Sequence, residues 1–124
     1  MIKRKNILLV DDDNAVTDYL RLKLGKAYDV LVTNEPSAAL TLARKEQPDL
    51  ILCDIDMPVM DGGDVCRALY DDEQTRNIPI LYLTSIISHE EVQILDGQIG
   101  GRPGVSKSAP IDVILARIRT ALEG

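Results

Sequence analysis

At 124 residues, 45% hydrophobic and 27% charged, the chain has the size and composition of one soluble domain and is too short for two cores. No apolar run approaches the roughly 20 residues of a membrane span, and a net charge of −6 argues against a nucleic-acid-binding face. Cys53 and Cys66 lack metal-site spacing and His89 is the only histidine, which leaves no cysteine–histidine metal centre and makes both thiols small buried side chains.

The opening residues Met1 to Asn6 hold the only tight basic cluster, Lys3, Arg4 and Lys5, which reads as a solvated end. They lead directly into a strand with no signal-peptide cleavage region, which predicts a cytoplasmic location. The first strand is Asn6–Val10, followed by Asp11, Asp12 and Asp13. Asn14 is the expected cap of a helix with an apolar stripe of Val16, Tyr19, Leu20 and Leu24, stopped by Gly25. A second strand spans Tyr28–Thr33. Pro36 suits the first turn of a second helix that turns Ala39, Leu40 and Ala43 inward, with Pro48 just beyond its end.

The third strand, Leu50–Cys53, runs into Asp54, and Asp61 or Gly62 opens a helix covering Val65, Cys66 and Leu69. The fourth strand, Ile80–Leu83, runs into Thr84. Ser88 is the expected cap of a helix containing Val92, Leu95 and Ile99. Residues Gly97 to Gly104 read as a glycine-rich loop. A weaker fifth strand, Gly104–Ser106, precedes Lys107, and Pro110 sits near the start of a last helix carrying Ile111, Ile114, Leu115, Ile118 and Leu122. The first, third and fourth strands are nearly continuous apolar runs, as expected of parallel strands covered on both faces. Five βα units in a row predict an open, doubly wound α/β fold with a parallel five-stranded sheet. Residues 1–124 read as a single domain, either whole or cut from a longer chain.

Asp11, Asp12, Asp54, Thr84 and Lys107 all fall at the carboxyl ends of strands, where open α/β sheets bind ligands. Singly, each has a plainer reading: a turn former, a helix cap, a satisfied hydroxyl, a solvated ammonium. Together they describe a site. Carboxylates brought together repel, which raises pKa values or calls for a cation. Mg²⁺ takes oxygen ligands and accepts a phosphate oxygen. Such a site suits phosphoryl transfer onto a carboxylate, with the metal, Lys107 and Thr84 stabilising the phosphoryl oxygens.

These residues resemble a known family. Ile7-Leu8-Leu9-Val10-Asp11-Asp12-Asp13 is similar to the acidic opening of response-regulator receiver domains. The run from Leu50 through Asp54, Asp56, Met57 and Pro58 to Asp61 and Gly62 resembles their phosphoacceptor strand and loop, and Ile78 to Ser85 resembles their fourth strand. The resemblance covers essentially the whole chain and implies a flavodoxin-like fold. It implies a phosphoacceptor switch in a two-component phosphorelay rather than an enzyme with turnover. On it, Asp54 is the phosphoacceptor, and Asp11, Asp12, Asp54 and the Asp56 backbone carbonyl hold Mg²⁺ or Mn²⁺. Thr84, Ser85 and Lys107 serve the phosphoryl group, and Asp56 and Ile86 tune its hydrolysis. The implied partners are a histidine kinase or phosphotransfer protein, and an output domain or partner protein on the face of the fourth helix, fifth strand and fifth helix. Neither a membrane nor a nucleic acid is implied.

The chain departs from the family pattern twice. Ser108 follows the lysine where the family has proline, often after a cis bond. A non-proline cis bond costs about 3 kcal/mol, so a trans bond or a rebuilt turn is expected. Gly104 stands where the family carries an inward-swinging Tyr or Phe. Both changes favour the first alternative reading, a degenerate receiver acting only as an interaction module. A second alternative, a phosphatase of the haloacid-dehalogenase type, matches Asp54-Ile55-Asp56, but there the acidic pair comes late in the chain and here it comes first.

Overall fold

The computed structural model describes residues 4–56, 62–99 and 101–123. Met57 to Asp61, with the Asp61 alternative for a helix start, lies outside them, as do Lys3 of the basic cluster and Gly100. Among the described residues the strands are β1 (Asn6–Val10), β2 (Asp29–Thr33), β3 (Leu50–Asp54), β4 (Ile80–Thr84), β5 (Gln98–Ile99) and β6 (Arg102–Ser106). The helices are α1 (Asn14–Leu24), α2 (Ala39–Glu46), α3 (Gly62–Asp71), α4 (His89–Ile94) and α5 (Ile111–Glu123), and a 3-10 turn at Pro36–Ala38 leads into α2. The sheet order is β2-β1-β3-β4-β6-β5. The five expected strands are all parallel; β5 is an addition, antiparallel to β6. No helix among the described residues is long and apolar enough to cross a membrane.

Side-chain alternation divides the sheet into two faces. Ile7, Leu9, Leu50, Leu52, Leu81 and Leu83 pack with Leu20 and Leu24 of α1 and Ile114 and Ile118 of α5. Leu8, Val10, Ile51, Cys53 and Ile80 pack with Ala39 and Ala43 of α2 and Val65, Cys66 and Leu69 of α3. Both cysteines are buried as expected. Each buried Leu or Ile contributes roughly 1.5–3 kcal/mol, so the central strands form a firm base for the groups at their ends. Asp11 continues the alternation of Ile7 and Leu9, and Asp54 that of Leu50 and Leu52. Period two therefore sends both carboxylates to the α1/α5 side.

Four local expectations change. Asp13, not Asn14, caps α1, its Oδ1 accepting from Ala15 N at 2.9 Å and Val16 N at 3.4 Å. A carboxylate there also meets the positive end of the helix. On α1, Tyr19 is half exposed and Thr17 is buried instead. Ser88 does cap α4, through a reciprocal capping box with Glu91, but the helix ends at Ile94. Leu95 is consequently half exposed and Ile99 belongs to β5.

The fourth change concerns residues 97–99 and 101–104, where β5 pairs with β6 as a hairpin rather than a loop. Asp96, Gly97 and Gly101 take positive φ at 62°, 74° and 80°, turning the chain out of α4 and back into β6. Gly97 O accepts from Gly104 N at 3.0 Å and from Arg117 Nη2 at 2.7 Å, which pins the hairpin to α5. Ile99 lies directly over Gly104: a Cβ added there would stand 2.7 Å from Ile99 Cγ1. The volume beside residue 104 is thus taken by an aliphatic side chain from the hairpin. Overpacking costs about 1–3 kcal/mol, so Gly104→Ala is expected to lower stability to urea by that order. Adding Ile99→Ala should restore part of the loss, whereas fully additive losses would mean that Ile99 does not fill the space.

Candidate functional site

The site lies at the carboxyl ends of β1 and β3, where strand order reverses. Asp11 and Asp54 are buried and Asp12 is exposed, and one carboxylate oxygen from each lies within 4.8 Å of the others. Asp11 N donates to Thr33 O at 3.2 Å, and Asp11 Oδ1 accepts from Asp13 N at 3.0 Å. Lys107 Nζ lies 2.8 Å from Asp11 Oδ2 and 3.3 Å from Asp54 Oδ2. Asp11 Oδ2 is buried and takes no well-aligned hydrogen bond despite that ionic contact. An all-oxygen donor set with such an atom fits a hard divalent cation.

Lys107 reaches the site because β6 delivers it in register. Thr84 pairs with Ser106, and Lys107 N donates to Thr84 O at 2.7 Å. The turn after it is closed by side chains: Ser108 N donates to Ser106 Oγ at 3.2 Å, the two hydroxyls lie 2.8 Å apart, and Ala109 N donates to Ser106 O. No cis peptide bond occurs among the described residues, in line with the trans bond expected before Ser108.

Asp56 N donates to Asp54 Oδ1 at 2.9 Å. The Asp56 carboxylate is not one of the three clustered carboxylates and accepts from Thr84 Oγ1, Ser85 N and Ser85 Oγ. Sequence reasoning singled out Thr84 and Ser85 as phosphoryl contacts; here both donate to Asp56. Ile86, 78% exposed, lies beside them without a polar group. One contributor escaped the sequence reading. Asn34 Nδ2 donates to Asp11 O at 2.7 Å and to Thr17 Oγ1 at 3.1 Å, fixing the backbone that carries Asp11. Its only sequence signal is an amide directly after a strand.

Burial pushes the Asp54 carboxyl up to about 6, and the Asp11 charge adds to that; the Asp56 amide and the Lys107 ammonium pull the other way without cancelling it. Burial likewise opposes the Lys107 charge, but contact with Asp11 and Asp54 outweighs it and holds the ammonium above its usual range. The two directions agree: the shared Lys107 cation is stabilised by its two carboxylate neighbours, while that one charge does not offset the burial of Asp54.

With the family model for the response regulator receiver domain, the chain matches over residues 7–119. The chain belongs to the response-regulator receiver family. Domains of this family are the phosphoacceptor switches of two-component signalling. This receiver domain is 36% identical over 118 residues to the DNA-binding dual master transcriptional regulator RpaA of Synechocystis, covering 94% of the chain and 48% of that protein. It is 37% identical over 120 residues to the DNA-binding response regulator MtrA of Mycolicibacterium smegmatis, covering 96% and 51%. The chain thus spans about half the length of these curated relatives. Among solved structures, it resembles chemotaxis protein CheY4 of Vibrio cholerae, with a TM-score of 0.80 and 28% identity over 96% of this chain and 99% of that one. It also resembles the BeF3-activated N-terminal receiver domain of RstA from Klebsiella pneumoniae, with a TM-score of 0.77 and 36% identity over 96% and 99%. The receiver assignment replaces the haloacid-dehalogenase alternative.

The raised Asp54 carboxyl has a consequence for stability. Unfolded, the group titrates near 3.8, and folded, near 6; between these values the native state binds the extra proton. The resulting stability is complete below 3.8 and lost as pH rises through 6. In EDTA, lowering the pH from 7.5 to 5 should stabilise wild type by about 1.4 kcal/mol more than Asp54→Asn. Parallel pH profiles of the two proteins, from denaturant titrations, would contradict this.

Proposed function

We propose that this receiver domain switches by phosphorylation of Asp54. The supporting observation is the convergence of Asp11, Asp12 and Asp54 around one point, with Lys107 bridging the two buried members. A carboxylate oxygen of Asp54 attacks the phosphorus of a phosphohistidine on a histidine kinase or phosphotransfer protein. The P–O bond forms as the P–N bond breaks, and the imidazole leaves with the electron pair and takes up a proton.

Lys107 holds its ammonium against the oxygen that Asp54 presents and faces the charge gathered on the phosphoryl oxygens. Thr84 and Ser85 offer hydroxyl and amide donors from the end of β4. Asp11, Asp12, Asp54 and the Asp56 backbone carbonyl would hold Mg²⁺ or Mn²⁺. When bound, such an ion neutralises phosphoryl charge. The face of α4, β6 and α5, where His89 and Gln93 line a groove with Val105, Val113 and Arg117, is the proposed contact for an output domain or partner protein. Direct DNA binding, stated in the names of RpaA and MtrA for those proteins, is not proposed for this domain with its net charge of −6.

Incubation with a small phosphodonor and Mg²⁺ should add one phosphoryl mass to wild type and none to Asp54→Asn, and EDTA should abolish labelling. Equal labelling of both proteins would overturn the assignment. Ile86 presents no group to orient an attacking water. Label should therefore persist longer on wild type than on Ile86→Glu; faster loss from wild type would remove Ile86 from the proposed tuning role.

A further inference from the structure

Three donors at the end of β4 converge on one carboxylate. Thr84 Oγ1 lies 3.0 Å from Asp56 Oδ2 and 3.1 Å from Oδ1, while Ser85 N and Ser85 Oγ donate to Oδ2 at 2.7 and 3.2 Å. A hydroxyl has a single proton, so Thr84 has none for another acceptor while this contact lasts. Its oxygen accepts in turn from Ile86 N at 3.2 Å, which fixes the hydroxyl from both sides. The N–H of the same Asp56 donates to Asp54 Oδ1. One residue thus holds Asp54 with its backbone and the end of β4 with its side chain.

We propose that Asp56 is an internal latch: its carboxylate occupies the Thr84 and Ser85 donors in the unmodified protein and must leave them before a phosphoryl group on Asp54 can be bound there. The inference rests on Asp54 being the phosphoacceptor. Two effects release the latch. A phosphoryl group carries between one and two negative charges near neutral pH and repels a neighbouring carboxylate. It also alters the carboxyl that the Asp56 N–H holds, so the loop bearing the latch is disturbed at its base. Phosphoryl oxygens and the Asp56 carboxylate compete for the same donors, and modification biases one element between two arrangements. The segment moved is Ser85 to Ser88, and Ser88 is the cap of α4. Release at Asp56 is therefore passed to the start of that helix. Asp56 acts here as a positioning residue, through Thr84 and Ser85.

Beryllofluoride with Mg²⁺, an unreactive mimic of the phosphoryl group, tests this in a double-mutant cycle read by ¹⁹F NMR titration. Asp56→Ala should bind it roughly tenfold more tightly than wild type, with Asp56→Asn in between, because hydrogen bonds to a charged group are lost. In a Thr84→Val, Ser85→Ala background, which leaves only the Ser85 amide of the contested donors, the gain should shrink to about a third or less. In the unmodified protein, exchange of the Ser85 and Ile86 amides should quicken in Asp56→Ala while Leu52 and Leu81 keep their protection. An equal gain in both backgrounds would reduce Asp56 to through-space repulsion and overturn the latch, as would no gain or unchanged exchange at Ser85. Binding to Asp54→Asn as tight as to wild type would instead defeat the phosphoacceptor reading. Asp54-dependent binding without the Asp56 effect would defeat the latch alone.

Discussion

Two buried carboxylates at the end of an apolar sheet are the constraint around which the rest is arranged. Asp11 and Asp54 have almost no solvent exposure, and an unpaired charge in that position is costly. A single ammonium answers both. That ammonium arrives only because β6 pairs with β4 in one register and Lys107 N is held by Thr84 O. Sheet order, strand register and the serine-closed turn therefore all bear on one electrostatic problem. One positive charge between two negatives leaves the cluster short of neutrality, and exposed Asp12 widens the gap. A site in that condition is electrostatically suited to a further positive charge.

The same geometry decides how a change at Asp54 can travel. With Gly104 covered by Ile99, no ring can rotate into the space beside β6. The contacts that lead away from Asp54 are those of backbone and short polar side chains. The end of β4 touches Asp56 on one side and the Lys107 backbone on the other, so a small shift of Thr84 is felt by both. The hairpin is pinned to α5 by Arg117, which donates to Gly97 O and, at 3.3 Å, to Gly104 O. Those bonds tie it to the frame, which leaves the connection between β4 and α4 as the element on which the proposed latch acts.

Much of this was legible in the sequence for a definite reason. Parallel strands buried on both faces leave near-continuous apolar runs, and polar residues that close such runs must sit at the ligand-binding edge. That logic found β1, β3, β4, Asp11, Asp12, Asp54 and Thr84, and it placed Lys107 after a weaker strand. Asp13 was missed as a cap because Asp12, Asp13 and Asn14 are all good caps, and tertiary position decides among them. Thr17 was missed as a core residue because its hydroxyl is satisfied from a distance, by Asn34, as well as by the Asn14 carbonyl. Helical spacing could not tell it from Tyr19. The strand at Gln98–Ile99 is two residues between glycines, too short to show any period. The Asp56 carboxylate had an ambiguous signal: its position in the loop named a backbone role, while its side chain works on a neighbouring strand.

The short hairpin also determines how the molecule can meet copies of itself. An uncovered outer strand offers a ladder of amides and carbonyls to any strand that drifts against it. On β6 that ladder is already engaged: Ile99 pairs with Arg102, Gln98 with Pro103, and the Gly104 amide goes to Gly97, while Pro103 has no amide to offer. β5, which now forms the rim, is only two residues long. Among the described residues, strand addition has one long edge left, at β2, whose exposed Asp29 carries an ion pair with Arg4. A capped edge on the hairpin side disfavours strand addition from both ends of the sheet at once.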